Sequence, residues 1–400
     1  MAKSNYFVTL EKRRRGGALA FACALLIALL AGCAQGGGSD GKDGKDDETP
    51  ETPATPKTYK VYVSGSRFVI NGEDDAKEYP CYWDGATRVD LAGDADGMGR
   101  ALAIAASGGS IYVAGNIGLD PSGGDNFRSA CYWKDGARTA IPGHEAVGIL
   151  VGGGTVYAAV NGEWENVLID GLLSNVYTAA YVAGGAASAL PGAEKIEGTS
   201  PQRYQETKAY GIALSGGTVS TIGVGWISGG TKPCRWDGTT LHQYSGQGRA
   251  LGICASGSSI YAAGCYFSSP DASHKPCYWN GDTLTELPVK AGDDGAQAQC
   301  IKVVGGLVYT AGYRYTGDDY LGTGTRSPCY WIGTTRTDLP TGGSSYGEVS
   351  GIEVGEGVVY AAGYYFDGTK TVPCYWKGET RVDLPANGDT YATGIALIEE

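Results

Sequence analysis

From Tyr59 to the end of the chain, short runs of Val, Ile, Tyr, Ala and Trp alternate with Gly-rich or polar pairs. The clearest stretch, VVYAAGYYFDGTKTVPCYWKGETRVDLP from Val358 to Pro385, holds three such runs: V-Y-x-A-G-Y, P-C-Y-W and T-R-x-D-L-P. A fourth, G-I-x-V, precedes it. β-Branched and aromatic residues bounded by turn residues mark strands. The first and second runs are joined by pieces such as Ser107-Gly108-Gly109 and Gly152-Gly153-Gly154. The third and fourth are joined by Asp84-Gly85, Asp237-Gly238, Asn280-Gly281 or Lys377-Gly378. Such pairs supply the positive φ angles of a two-residue hairpin, so each unit predicts a four-stranded antiparallel meander.

The unit recurs. Cys-Tyr-Trp appears at Cys81, Cys131, Cys277, Cys329 and Cys374, as Cys234-Arg235-Trp236 once, and as a worn Ala180-Tyr181-Val182 once, at spacings of 50, 49, 54, 43, 52 and 45. A small residue before Ile marks the first strand at Ile104, Ile149, Ile212, Ile253, Ile301, Ile352 and Ile395. Strands two and three are apolar at successive positions, so both faces of each sheet need burial. Sheets packed face to face around an axis provide it. Seven copies, a period of ~40–50 residues and four strands per copy predict an all-β, seven-bladed β-propeller. The region opens on a second strand, from Tyr59 to Gly65, and ends on an extra first strand, Gly394 to Ile398. Pairing these two inside one blade closes the ring and leaves no unpaired edge.

Ahead of the repeats stand Lys12, Arg13, Arg14 and Arg15, an uncharged apolar stretch from Gly16 to Ala31, and then Leu30-Ala31-Gly32-Cys33. The pattern is that of a signal peptide and is too short for the ~20 residues of a membrane-spanning helix. Its end resembles the lipobox of bacterial lipoproteins. That resemblance implies removal of residues 1–32, a lipidated Cys33, and an extracytoplasmic place in the cell envelope, at the outer membrane or cell surface. Residues 33–58 are rich in Gly, Ser, Asp, Lys, Glu, Thr and Pro and read as a disordered tether reaching about 25–30 Å. Residues 59–400 form the propeller. In period, and in the Ile-Tyr-x-x-Gly of its second strand, the repeat resembles kelch motifs, without their double Gly and later Trp. The same residues resemble bacterial repeat lipoproteins, a likeness that implies a fold and no chemistry.

Composition narrows the partners. The 400 residues carry 31 basic and 43 acidic side chains, and without the signal segment 26 and 42 remain. A strongly acidic chain is a poor match for nucleic acid, which is bound through clustered Lys and Arg. Six of the nine cysteines after Cys33 fall at one equivalent position in six blades. Neighbouring blades hold such positions ~10 Å or more apart, beyond the reach of a disulfide, so these read as buried thiols. Cys254, Cys265 and Cys300 are unique to their blades and leave one bridge open.

Chemistry leaves fainter marks. The histidines His144, His242 and His274 fall in different blades without ligand or triad spacing. No cofactor motif is present, and none is expected. The Arg-x-Asp pairs of the fourth strand (Arg88/Asp90, Arg336/Asp338, Arg381/Asp383) suit a solvated outer edge. The acidic pairs Asp94/Asp96, Asp293/Asp294 and Asp318/Asp319 read as a solvated face rather than a calcium loop. Three residues after the second-strand Gly stand Phe68, Trp226, Phe267, Tyr315 and Phe366, with Trp164 one place later in its copy. They open the variable loops between second and third strands, and function concentrates on such loops. These six are the candidate ligand-binding residues, an aromatic collar for a sugar ring or a peptide; packing between blades is the other reading of the same positions. The function expected is that of a lipid-anchored, non-catalytic module binding a glycan or protein. An envelope scaffold and a carbohydrate-active hydrolase or lyase are the alternatives.

Overall fold

The computed structural model describes residues 57–70, 76–118, 128–162, 165–169, 172–176, 178–192, 195–196, 203–204, 206–227, 230–267, 273–317 and 324–400. The expected signal segment, Cys33 and nearly all of the expected tether lie outside these residues, as does Trp164. Seven four-stranded antiparallel sheets form the molecule. Blade 1 is assembled from both ends of the chain: Thr390–Glu399 innermost, then Tyr59–Ile70, Ala76–Asp84 and Thr87–Asp90 outermost. Blades 2 to 7 follow in order, with innermost strands Gly99–Ser107, Glu145–Gly152, Glu206–Ser215, Gln247–Ser256, Gly295–Val304 and Gly347–Gly355. Each innermost strand contacts the next, and the strand of blade 7 contacts that of blade 1, so the ring closes. Its seam is a full ladder, with Val63 opposite Ile395 and Val61 opposite Leu397. The protein is a seven-bladed β-propeller.

The repeat markers now have physical reasons. Six tryptophans are at most 1% exposed and lie in the interfaces between blades. Five donate their indole N–H to a carbonyl in the connection leaving the preceding blade: Trp83 to Pro385 at 3.0 Å, Trp133 to Ala92 at 2.9 Å, Trp236 to Pro191 at 2.9 Å, Trp331 to Pro288 at 3.2 Å and Trp376 to Pro340 at 3.0 Å. Trp279 stacks on Tyr244 instead, with ring centres 4.7 Å apart. The small residue before each Ile is set by the crowding of innermost strands at the axis. A Cβ at Gly252 would stand 2.7 Å from the Cα of Cys300, and one at Gly351 would stand 2.9 Å from the Cα of Gly394. The second-strand Gly lies under the neighbouring strand's backbone: a Cβ at Gly115 would collide with the Arg100 carbonyl, and one at Gly363 with that of Glu348.

The connections divide between two faces. First-to-second and third-to-fourth turns are tight, closed by Gly-Gly or X-Gly pairs such as Gly108 and Gly109 at φ 58° and 78°. The second-to-third loops and the connections between blades lie on the opposite, loop-rich face. Two hairpins that the repeat does not predict are inserted among those connections, Glu165–Ile169 with Leu172–Val176 and Lys195–Ile196 with Arg203–Tyr204.

Three outcomes at the cysteines and charges concern the sequence reading directly. All nine described cysteines are free thiols, so no bridge joins Cys254, Cys265 and Cys300. Asp293 is not part of a solvated acidic face. Its side chain is 5% exposed and accepts from Arg336 Nη1 at 2.6 Å and Arg314 Nη1 at 3.2 Å. Arg336, 2% exposed, has likewise left the solvated edge where Arg88 and Arg381 stay paired with Asp90 and Asp383. A carboxylate delivered by the connection from blade 5 draws the guanidinium inward, because a buried charge needs a partner.

Candidate functional site

Every innermost strand starts at the loop-rich face and carries a β-bulge a few residues later, between its first ladder pairs and the Ile that recurs in each repeat. Bulges bend a strand and re-aim the side chains beside them. Four residues before that Ile, just inside the rim, stand Tyr391, Arg100, Glu145, Lys208, Arg249, Gln297 and Glu348 in blades 1 to 7. The residue after each is Ala or Val and is buried in every blade. Five different polar or charged residue types thus occupy one equivalent position in seven units otherwise repeated closely.

Contacts turn this rim into a network spanning blades 5, 6, 7, 1 and 2. Phe267 meets His274 with ring centres 5.3 Å apart, and the backbone N–H of His274 donates to the Tyr315 hydroxyl at 2.9 Å. Tyr315 meets Tyr313 at 6.4 Å, and Tyr313 donates its hydroxyl to Gln297 Oε1 at 2.7 Å. Arg326 lies 4.5 Å over the Tyr313 ring and 5.4 Å over that of Tyr346, and binds Glu348 Oε2 at 3.1 Å. Tyr364 donates to Glu348 through a short bond and meets Tyr391 edge-on at 4.8 Å. Tyr391 meets Phe68 at 5.2 Å, and Phe68 stands opposite Glu78, which pairs with Arg100. On the other side of the ring Lys208 reaches Glu145 at 3.8 Å, and Asn161 donates to the same carboxylate at 3.0 Å. Arg249 is exposed.

The electrostatics are those of a half-dry polar rim. Glu78 is 5% exposed, and burial raises its carboxyl above the ordinary range against the opposing pull of Arg100, Ser66 and Arg128. Burial also raises the Tyr391 hydroxyl, with the carboxylates of Asp389, Glu78 and Glu348 acting in the same direction. The Tyr364 phenol is held far above its usual value by burial and by Glu348. These groups are donors and acceptors fixed in place before any ligand arrives, the condition for low-cost recognition. Among the described residues no group of three or more His, Cys, Asp or Glu side chains is placed to hold a metal ion.

The six collar residues fall into three groups. Phe68, Phe267, Tyr315 and Phe366 all end second strands on the loop-rich face, and Phe68, Phe267 and Tyr315 belong to the network. Phe267 and Tyr315 are 8% and 6% exposed, wedged between blades, whereas Phe68 and Phe366 are half-buried. Trp226 pairs with Glu206 and Thr231 along the backbone of blade 4, and its side chain, like Trp164 as a whole, lies outside the described residues. Sequence reasoning missed the rim. A signal was present: aligned on the Ile marker, one column varies among Tyr, Arg, Glu, Lys and Gln while the next stays Ala or Val.

No protein-family model matches the sequence, and no curated protein does. Among solved structures the chain is similar to the Pyrococcus horikoshii acylaminoacyl peptidase, at 11% identity and TM-score 0.47 over 83% of this chain and 51% of the peptidase. It is also similar to the β-propeller domain of the Trilobed protease from Pyrococcus furiosus, at 10% identity and TM-score 0.41 over 71% of this chain and 82% of that domain. The Trypanosoma rangeli sialidase is similar at 9% identity and TM-score 0.40, over 76% of this chain and 56% of the sialidase. The chain therefore spans about half the length of the peptidase. These likenesses concern architecture alone.

Proposed function

We propose that the protein is a lipid-anchored, extracytoplasmic binding module that holds a glycan or protein ligand on its loop-rich face without catalysing a reaction. The observation that carries this reading is the rim position. Packing keeps the next residue Ala or Val in all seven blades, yet this position holds Tyr, Arg, Glu, Lys, Arg, Gln and Glu. Several of these side chains have partners within the rim, but the repeat itself does not call for five different polar types at one position; a single asymmetric ligand touching several blades does. Partly buried aromatics beside fixed hydrogen-bonding groups suit sugar rings and peptide side chains alike.

Anchorage fits the same picture. The folded unit begins at Lys57, whose ammonium binds Glu399 at 2.7 Å, and the amide of Glu400 donates to Thr58 at 3.0 Å. This is the tight-turn end of blade 1. With Cys33 lipidated, a tether of about 25–30 Å would join the propeller at its tight-turn face and leave the loop-rich face free for a ligand. The test is a glycan array together with a pull-down from envelope extract, comparing the intact chain with an Arg249→Ala, Arg326→Ala variant. Retained binding by the variant contradicts the reading.

A carbohydrate-active hydrolase or lyase is the second reading, and one observation favours it: Glu78 and Glu348 flank Tyr391, and the Glu78 carboxyl is raised as a general acid requires. Turnover on a glycan panel that disappears in Glu78→Gln establishes it over simple binding.

A further inference from the structure

Blade 3 lacks the tryptophan of the other six. Val182 stands in its place and supplies neither an indole ring nor a donor for the connection at Ile141-Pro142 that leaves blade 2. The second-strand Gly is changed as well. A Cβ at Gly65 would come 2.6 Å from Cζ3 of Trp83, so Val160, at the equivalent place in blade 3, fills the room taken elsewhere by the far edge of the indole. The two valines do not fill the whole interface. A groove of about 340 Å³ remains between blades 2 and 3. Ala158 and Val182 line its buried part, at 1% and 2% exposure; Tyr132, Ile141 and Val156 wall it, and the turn at Gly184 opens it to solvent.

The repeat says what fits such a space. Between blades 1 and 2, Tyr82, Leu91, Ile111 and Val113 pack around the indole of Trp133. Between blades 2 and 3 the equivalent residues are Tyr132, Ile141, Val156 and Ala158, grouped around Val182. An apolar cavity of about 150 Å³ left by a deleted side chain is enough to take up benzene. The present groove is larger, is open to solvent on its turn side, and keeps the walls that hold an indole next door.

We infer that the groove between blades 2 and 3 binds a small planar N–H heterocycle of the indole class, which takes the place of the missing tryptophan. The site lies away from the loop-rich rim and does not depend on the ligand proposed there. Burial of the ring against Ala158, Val156 and Ile141 supplies the affinity, and the N–H finds an acceptor in the connection after Ile141, as the tryptophans do in the other interfaces.

The test is a fluorine NMR titration of 5-fluoroindole into the full chain and into a Val160→Gly, Val182→Trp double variant, which restores the pattern of the other blades. The wild type is expected to bind saturably, and the double variant at least tenfold more weakly while melting at the same or a higher temperature. Should the double variant fail to fold, Val182→Phe narrows the groove without disturbing Val160 and is expected to weaken binding as well. Equal affinity in wild type and folded variants overturns the site, as does the absence of saturable binding to the wild type. Competition by N-acetyl-tryptophanamide assigns the site to indoles carried on an amino acid as well; retained 5-fluoroindole binding without competition assigns it to the free heterocycle. Either result supports the groove.

Discussion

Burial pushes the Cys81, Cys131 and Cys234 thiols up to about 12, and those of Cys277, Cys300, Cys329 and Cys374 are raised by the same cause. Roughly one thiol in 10⁴ is ionised at about pH 8, and the thiolate is the reactive form. Ellman titration of the native chain is therefore expected to modify none of these seven promptly, with half-buried Cys254 reacting first as the chain is loosened. The same titration after unfolding tests the anchor: a chain processed and thioether-linked at Cys33 yields 9 thiols, and an unprocessed one yields all 11. Glu78 supplies a pH signature. Its folded carboxyl is raised, so the folded state holds the proton at pH values where the unfolded chain, titrating near about 4.3, has lost it. Its contribution to stability accordingly falls as pH rises from about 4 through the raised folded value, then stays level. Denaturant melts of wild type and Glu78→Gln across that window are expected to give a difference that declines with pH; a flat difference contradicts the assignment.

At the scale of elements, the second-strand Gly is the tightest constraint. Gly363→Ala drives a Cβ into the Glu348 carbonyl and is expected to cost about 1–3 kcal/mol in a denaturant melt, the range for overpacking a dense interior. The closing strand carries more. Deleting Thr390–Glu399 leaves Tyr59–Ile70 as an unpaired edge at the axis and strips the partner from Val63, so the shortened chain is expected to aggregate or lose its single cooperative transition. A monomeric deletion variant with wild-type melting contradicts closure.

The elements were legible in the sequence because turn chemistry and strand composition repeat. Gly-Gly and Asp-Gly pairs fixed the hairpins, and Ile395 at the far end had the pattern of a first strand without a second. The hairpin Glu165–Ile169 with Leu172–Val176 escaped notice although Asp170-Gly171 is a hairpin signal, because it lies in the most worn copy and interrupts the period. The burial of Arg336 and Asp293 escaped for another reason. Their pairing joins a fourth strand to a connection 43 residues away, and local pattern carries no information about such contacts.

At the scale of the molecule, the ring has two unlike faces, and the proposed function divides anchoring and binding between them. The tight-turn face receives the chain at Lys57, and the opposite face gathers the connections, the rim residues and the inserted hairpins. Candidate site residues were only partly legible, since identical aromatic positions pack differently from blade to blade: Tyr315 is wedged under His274, while Phe68 stays half-buried against Tyr391. The rim was written in the sequence as a column of difference, which emerges only when the copies are stacked. Hydrogen exchange of the intact chain, with and without a ligand captured from the array or extract, tests the division most directly. Protection is expected at the starts of the innermost strands, around Arg100, Arg249, Gln297, Glu348 and Tyr391. Protection confined to the tight turns, such as Gly108-Gly109 and Gly153-Gly154, contradicts it.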